Sequence, residues 1–163
     1  HLHWQFWKSE GPLPVEQAST RTVLTKMVPA HTELPALATL SVQELVDYPI
    51  RGFKIVSGAH PSQRAQTAAF VAQCVQYMVQ HRVAYNLVVS SRGRGAHVYL
   101  LPRQLGARHP HYGFVAGFPE IAGYVIMLSE EDYVNADLQA LDSYFVHNVS
   151  LPPRRFASLR RRL

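Results

Sequence analysis

Cysteine is nearly absent from this sequence, and no segment in it is apolar enough to enter a membrane. Cys74 is the single cysteine among 163 residues, which excludes an intrachain disulfide. Its neighbours predict a helix, and a free cysteine there is most often a small buried apolar residue rather than a nucleophile. No apolar run approaches the roughly 18 residues of a membrane-spanning helix, so no membrane contact is expected.

The start of the chain has neither a methionine nor a basic segment followed by an apolar leader. It opens on His1-Leu2-His3, and we interpret it as a piece of a longer protein, cut just before a motif. The lack of a leader and of disulfides is typical of a cytoplasmic protein. Hydrophobic residues make up 47% and charged residues 17%, a balance that predicts one folded domain with a core of its own.

Acidic residues are fewer than basic ones, and the net charge at pH 7 is +5. Five arginines near the C-terminus account for the whole excess: Arg154, Arg155, Arg160, Arg161 and Arg162. We therefore expect a domain over residues 1–150 and a solvated basic tail over residues 151–163. Specific nucleic-acid binding is not expected, because the rest of the chain is balanced and does not alternate aromatic with basic residues.

Helix and strand patterns are mixed along the chain without regular alternation, which predicts an α+β fold. The clearest helix covers residues 61–82, where apolar residues form one stripe. Shorter helices are predicted after Ser41, which makes a capping box with Glu44, after Ser129, and after Pro152-Pro153. Strands are predicted over residues 1–7, 23–28, 52–56, 85–90, 97–101 and 123–128, with a hairpin joining 85–90 to 97–101. The expected architecture is an antiparallel sheet covered by one long helix.

The first strand carries the strongest chemical signal. Alternate side chains of a strand share a face, so His1, His3 and Gln5 project together. A neutral imidazole can attack phosphorus at neutral pH, and an amide can donate to a phosphoryl oxygen as charge develops on it. The same spacing also fits a metal-binding pair or two surface histidines without a function.

The order of several motifs resembles one family. His-Leu-His-Trp-Gln is similar to the His-x-His-x-Gln signature of the galactose-1-phosphate uridylyltransferase branch of the histidine-triad (HIT-like) superfamily. The segments that follow resemble GDP-L-galactose phosphorylases and other GDP-hexose phosphorylases, and they keep their order along the chain: PLPVEQAST from Pro12, ELVDYPIRG from Glu44, YNLVVS from Tyr85, YLLPR from Tyr99 and EIAGY from Glu120.

This resemblance implies a nucleotidyl-transfer reaction on a nucleotide sugar. His3 would attack the phosphorus next to the nucleoside of a GDP-hexose, hexose-1-phosphate would leave, and inorganic phosphate would then release GDP from the histidine. Gln5 would steady the phosphoryl oxygens and His1 would support the nucleophile. Neither a metal nor an organic cofactor is implied, because the substrate already carries an activated phosphoanhydride.

Four further residues are candidate substrate contacts: Glu16, Arg51, Asn86 and Arg103. Glu16 and Arg51 are charged residues inside the family-like segments, and the planar fork of Arg103 suits a phosphate. The alternative for Glu16 is an exposed loop carboxylate. For Arg51 it is an ion pair with Asp47.

The hairpin segments around Asn86 and Tyr99 resemble a HIT module that has lost its histidines. We infer a degenerate second half of a duplicated fold.

His109 and His111 repeat the His-x-His spacing, but they lack the further close ligands of a structural zinc site, so we interpret them as part of a packed loop.

Three alternatives to a GDP-hexose phosphorylase stay open. The same histidine chemistry serves a dinucleoside polyphosphate phosphorylase. A domain of this kind can also be an inactive nucleotide-binding module, and the arginine tail leaves room for a basic RNA-associated protein. The sequence does not decide the base, the sugar, the acceptor, or whether the protein is a homodimer.

Overall fold

An antiparallel five-stranded sheet organises the domain. The computed structural model describes residues 5, 8–28, 38–91, 95–106 and 108–162. The strands are β1 Thr20–Val28, β2 Ala38–Leu45, β3 Phe53–Ser57, β4 Ala84–Ser90 and β5 Ala96–Arg103. Their order is β1-β2-β3-β5-β4, and every neighbouring pair is antiparallel. Together with the helices described below, this sheet confirms the predicted α+β class.

One long helix covers one face of the sheet. Helix α2 spans Pro61–Gln80, and Pro61 suits its first turn because the missing N–H is not needed there. The helix buries Cys74 and Met78 against the side chains of Phe53, Ile55 and Leu100. The predicted helix is therefore confirmed, and burial raises the pKa of the Cys74 thiol to about 11. Within the described ranges no helix has the length and apolar character needed to cross a bilayer.

The opposite face is covered by short helices and loops. These helices are α1 Pro14–Gln17, α3 Phe118–Ile121, α4 Glu130–Val134 and α5 Leu138–Tyr144, with a π-helical turn over Phe145–Val149. Tyr99 and Leu101 of β5 pack there against Tyr112, Ile121 and Tyr144. The sheet thus lies between two hydrophobic cores, one on each face.

The helix predicted after Ser41 is wrong. Residues 38–45 form strand β2, which pairs with β1 on one side and β3 on the other. Leu40 and Val42 are buried on the α2 face, and this two-residue repeat outweighs the local capping pattern of Ser41 and Glu44. The register of β1 and β2 shifts between Thr22 and Leu24, which leaves Val23 as a bulge.

The strand predicted over residues 123–128 is also wrong, because this run is irregular. Gly123 has a φ of +103°, and a Cβ there would lie 2.4 Å from Cβ of Pro14. Val125 and Met127 still pack against the core beside α3, while Ile126 and Leu128 stay exposed. Their alternation therefore reflects a loop lying across the core without a strand partner among the described residues.

The other predicted elements that fall on described residues are confirmed, among them β3, the β4–β5 hairpin and α4. The strand predicted over 1–7 lies outside the described residues, apart from Gln5. Gln5 is exposed and belongs to no helix or strand.

The last helix, α6, spans Pro153–Arg160 and packs against the α2 side of the sheet. Phe156 and Leu159 are 4% and 3% exposed, and the Phe156 ring stacks on Phe53 with centroids 4.9 Å apart. The five C-terminal arginines are all exposed. The division of the chain at residue 150 stays a prediction, but α6 contributes side chains to the core that the sheet and α2 share.

Replacing Phe156 with alanine should therefore destabilise the whole domain. Loss of a buried phenylalanine costs about 3–5 kcal/mol, because the lost burial adds to the cavity left behind. Urea unfolding followed by circular dichroism measures the change. The control is Arg155→Ala, an exposed neighbour on the same helix, which should stay within about 0.5 kcal/mol of the wild type. Equal stabilities for the two variants would show that α6 is not part of the cooperative unit.

Candidate functional site

Polar side chains gather on the face of the sheet opposite α2. Lys54 lies between Phe53 and Ile55, which point into the α2 core, so its own side chain projects from the other face. The strand register pairs Lys54 with Tyr99 and pairs both Val56 and Ser90 with His97. We call Glu16, Lys54, Ser90, His97 and Tyr99 the sheet-face cluster.

Glu16 joins the segment before β1 to the end of β4. Its Oε2 accepts a hydrogen bond of 2.7 Å from the backbone N of Leu13, and its Oε1 accepts one from Oγ of Ser90. Val15, which is fully buried, anchors the same short helix through a 3.2 Å bond from its backbone N to the carbonyl of Ala122. The carboxylate of Glu16 is therefore held at the sheet face and is not a free loop charge.

Burial, together with two neighbouring charges, sets the protonation of His97. Burial lowers its pKa, the positive charge of Lys54 lowers it further, and the negative charge of Glu16 opposes both. Burial and the charge of Glu16 raise the pKa of Tyr99 to about 12. At neutral pH the cluster therefore offers a neutral imidazole and a neutral phenol beside an ammonium.

The rings and the ammonium of the cluster are close together. Nζ of Lys54 lies 5.8 Å from the centre of the Tyr99 ring, and the His97 and Tyr99 rings meet edge to face with centroids 6.5 Å apart. Lys54 and His97 are half-buried and can face phosphoryl oxygens, whereas Tyr99 is fully buried and the Ser90 hydroxyl already donates to Glu16.

Asn86 and Arg103 lie on the same sheet face as the cluster. Oδ1 of Asn86, Nε of Arg103 and the hydroxyl of Tyr99 are buried atoms that make no hydrogen bond to the described part of the chain. Burial lowers the pKa of Arg103, the charge of Tyr144 opposes this shift, and Nη1 donates a 3.4 Å hydrogen bond to the carbonyl of Gln104. A buried polar atom without a partner costs about 1–3 kcal/mol, so these three atoms mark places where a ligand or water would bind.

Arg51 does not join this group. Its Nη1 donates to Oγ of Ser150 at 3.1 Å and to the carbonyl of Leu151 at 3.2 Å. Its expected alternative partner, Asp47, instead accepts two bonds of 2.6 Å from Ser19. Arg51 therefore ties the turn between β2 and β3 to the segment that leads into α6.

Of the two His-x-His motifs, only the second lies within the described residues. His1 and His3 lie outside the described residues. His109 is buried, and its Nδ1 accepts from the backbone N of His111 at 3.2 Å and of Tyr112 at 3.1 Å. His109 is thus a packed loop residue, as interpreted from the sequence. In the described ranges no three His, Cys, Asp or Glu side chains are grouped to hold a metal.

Sequence reasoning missed four members of the cluster: Lys54, Ser90, His97 and Tyr99. A signal for Lys54 was available, because it is the single charged residue inside the apolar run of β3. Ser90, His97 and Tyr99 carried no such signal. The register of β5 places His97 and Tyr99, and Ser90 bonds to Glu16, which is 74 residues away in the chain.

Comparison with known proteins adds the family. Residues 14–163 match the model of the GDPGP1-like family's C-terminal domain. The chain belongs to this family. The match includes Glu16, the whole sheet and α6, whereas His1, His3 and Gln5 lie before it.

Two curated relatives of this C-terminal domain come from Arabidopsis thaliana. GDP-L-galactose phosphorylase 1 is 25% identical over 145 residues, which cover 83% of this chain and 29% of the relative. GDP-L-galactose phosphorylase 2 is 24% identical over 146 residues, which cover 83% of this chain and 30% of the relative. The chain thus spans less than a third of the length of these relatives. No solved structure matches it.

The electrostatics of the cluster predict opposite pKa shifts for two substitutions. Lys54→Met should raise the pKa of His97, because the repelling positive charge is lost. Glu16→Gln should lower it, because the stabilising negative charge is lost. NMR titration of the His97 ring protons measures both, with Arg64→Met on the outer surface of α2 as the control for charge removal. A shift of the same sign in the two variants would contradict this assignment of charges.

Proposed function

We propose that the full-length protein containing this domain is a nucleotide-sugar phosphorylase acting on a GDP-hexose. The observation that carries the proposal is the family match over residues 14–163, since the relatives named above are GDP-L-galactose phosphorylases. The ordered sequence motifs from residue 1 onward support it. The protein is then an enzyme of the nucleotidyltransferase class, with a nucleotide sugar and inorganic phosphate as its substrates.

The proposed reaction has two displacements at one phosphorus atom. A ring nitrogen of His3 attacks the phosphorus next to the nucleoside, the bond to the bridging oxygen breaks, and hexose-1-phosphate leaves. An oxygen of inorganic phosphate then attacks the same phosphorus, the phosphorus–nitrogen bond breaks, and GDP is released. Gln5 donates to the oxygens on which charge develops, and His1 supports His3. The proposal requires neither a metal nor an organic cofactor.

The sheet-face cluster gives this proposal a place for the phosphates. Glu16, which is 13 residues after His3, fixes the short helix α1 to the end of β4 and so keeps the start of the family domain beside His97 and Lys54. We propose that the ammonium of Lys54 balances phosphate charge during the reaction. Asn86 and Arg103 provide unsatisfied polar atoms on the same face. Arg51 lies outside this surface, and its role as a substrate contact is not part of the proposal.

The finer description of the fold is also a proposal. A HIT-like domain with lost histidines fits the five-stranded sheet and the long helix that covers one of its faces. This domain would then be the degenerate second half of a duplicated fold. A cytoplasmic location stays a prediction, and no homodimer is proposed.

Replacing His3 with asparagine should abolish phosphate-dependent release of GDP from a GDP-hexose by the full-length protein, because no other group makes the bond to phosphorus. Incubation without phosphate, followed by mass spectrometry, should find a guanylyl adduct on the wild-type peptide containing His3 and none on the variant. Normal turnover by the variant, or an adduct on His111, would show that the nucleophile is elsewhere. If a dinucleoside polyphosphate is turned over faster than the GDP-hexose, the proposed substrate is wrong, but the proposed histidine chemistry still holds.

Replacing Gln5 with alanine should slow both half-reactions by roughly ten- to a thousand-fold, as loss of an oxyanion donor does. The adduct should still form, since Gln5 stabilises charge without making a bond. Rapid-quench measurement of adduct formation and of its breakdown by phosphate separates the two steps. Gln80→Ala, at the exposed end of α2, is the control. If Gln5→Ala behaves like Gln80→Ala, the proposed role of Gln5 is wrong.

A further inference from the structure

A cleft of about 380 Å³ opens between the β1–β2 edge of the sheet and α6. Arg21, Glu44, Arg51 and Arg160 line it, and we call this cavity the arginine cleft. It is separate from the sheet-face cluster. Phe156, which also lines the cleft, packs on Phe53, whose side chain points away from the face that carries its neighbour Lys54.

The charges that line the cleft do not balance. A single oxygen of Glu44, Oε2, accepts from Nη2 of Arg21 at 2.9 Å and from Nη1 of Arg160 at 3.0 Å. Arg51 donates to the neutral oxygens of Ser150 and Leu151, and no carboxylate among the described residues pairs with it. Three guanidinium groups therefore line the cleft with one carboxylate, and only two of them pair with it.

Glu44 carries its negative charge at neutral pH. Partial burial raises its pKa, but the hydrogen bonds and positive charges of Arg21 and Arg160 outweigh that effect and hold the pKa below its usual value. The excess positive charge in the cleft is thus two, and it persists at neutral pH because arginine stays protonated.

The guanidinium groups retain donors for a ligand. Each guanidinium has five N–H donors, and each of the contacts above uses one nitrogen of its arginine. The side chains of Arg21 and Arg160 are 63% and 42% exposed, and an exposed ion pair contributes little, so both can turn toward an anion at small cost.

The rest of the cleft lining is apolar, and a hydrogen bond holds one of its side chains, Tyr48, in place. Tyr48, Pro49 and Phe156 belong to this apolar wall, and the hydroxyl of Tyr48 donates a 2.7 Å hydrogen bond to the carbonyl of Ile121. A bound molecule would therefore meet both guanidinium groups and apolar side chains. The volume is within the range of small-molecule sites.

We propose that the arginine cleft binds a nucleoside phosphate, with the phosphate on Arg21, Arg51 and Arg160 and the base against the apolar wall. Arginine is the side chain best suited to hold a phosphate through paired N–H donors. An RNA backbone is a poorer fit, because the cleft is concave and half of its lining is apolar. This proposal does not depend on the phosphorylase reaction. His3 and Gln5 precede the family domain in the sequence, and the sheet-face cluster is on the opposite face of the sheet from Glu44 and Phe156.

Titration of the full-length protein with GMP tests the proposal when the arginine Nε–Hε signals are followed by NMR. Signals of Arg21, Arg51 and Arg160 should shift together with one dissociation constant. The same shifts should appear in the His3→Asn protein, so loss of catalysis and loss of cleft binding are distinguished. Inorganic phosphate should bind more weakly than GMP, because it gains nothing from the apolar wall.

Matched charge variants define the site further. Arg160→Gln and Arg21→Gln should each weaken GMP binding about ten-fold, as expected for a lost charged hydrogen bond. Glu44→Gln should tighten binding, because it removes the one competing carboxylate. The control is Arg154→Gln, which removes an exposed charge from the same helix but does not line the cleft.

Three outcomes would overturn the proposal. One is an equal loss of affinity in Arg154→Gln, which would indicate a diffuse response to charge or an RNA-binding surface. The second is inorganic phosphate binding as tightly as GMP, which would exclude a role for the base. The third is the absence of shifts at the three cleft arginines. Arg51 is left unchanged in these tests, because its bonds to Ser150 and Leu151 also support the fold.

Discussion

Strand β5 is the element on which the rest of the domain depends, because its alternate side chains belong to different cores. Val98 and Leu100 pack toward α2 and α6, and Tyr99 and Leu101 pack toward the short helices on the other face. The side chains of Tyr99, Leu100 and Leu101 are fully buried. A strand covered on both faces tolerates neither a shift in register nor a change in side-chain size, since either would disturb two packed layers at once.

This double use of β5 explains why polar groups occur in an otherwise apolar layer. His97, Tyr99 and Arg103 follow the same alternation as Leu101, so they are held by the packing that fixes the core. The buried hydroxyl of Tyr99 and Nε of Arg103 lack partners on the described residues, which makes this face less stable than an apolar one. Natural domains keep such groups mainly where a ligand or bound water compensates them.

The elements predicted well from the sequence are those set by local patterns. The stripe of α2 and the β4–β5 hairpin are each specified within a short stretch of chain, and the structure has them where they were expected. Strand β2 was missed because its identity depends on two partner strands, while Ser41 and Glu44 imitate a helix start. The contacts of Glu16 with Ser90 and of Arg51 with Ser150 join residues 74 and 99 positions apart, so no local pattern reveals them.

The bulge at Val23 has a consequence for the outer edge of the sheet. Strand β1 pairs with β2 on one side, and its other side has no partner strand among the described residues. An edge strand that is regular and apolar would offer its backbone to a strand from another molecule. In β1 the bulge interrupts the regular spacing of backbone groups, and next to it the charged side chain of Arg21 is turned toward Glu44. The same arginine that faces the cleft therefore also puts a charged side chain close to the bulge, and β1 is irregular along the side where the described residues hold no partner strand.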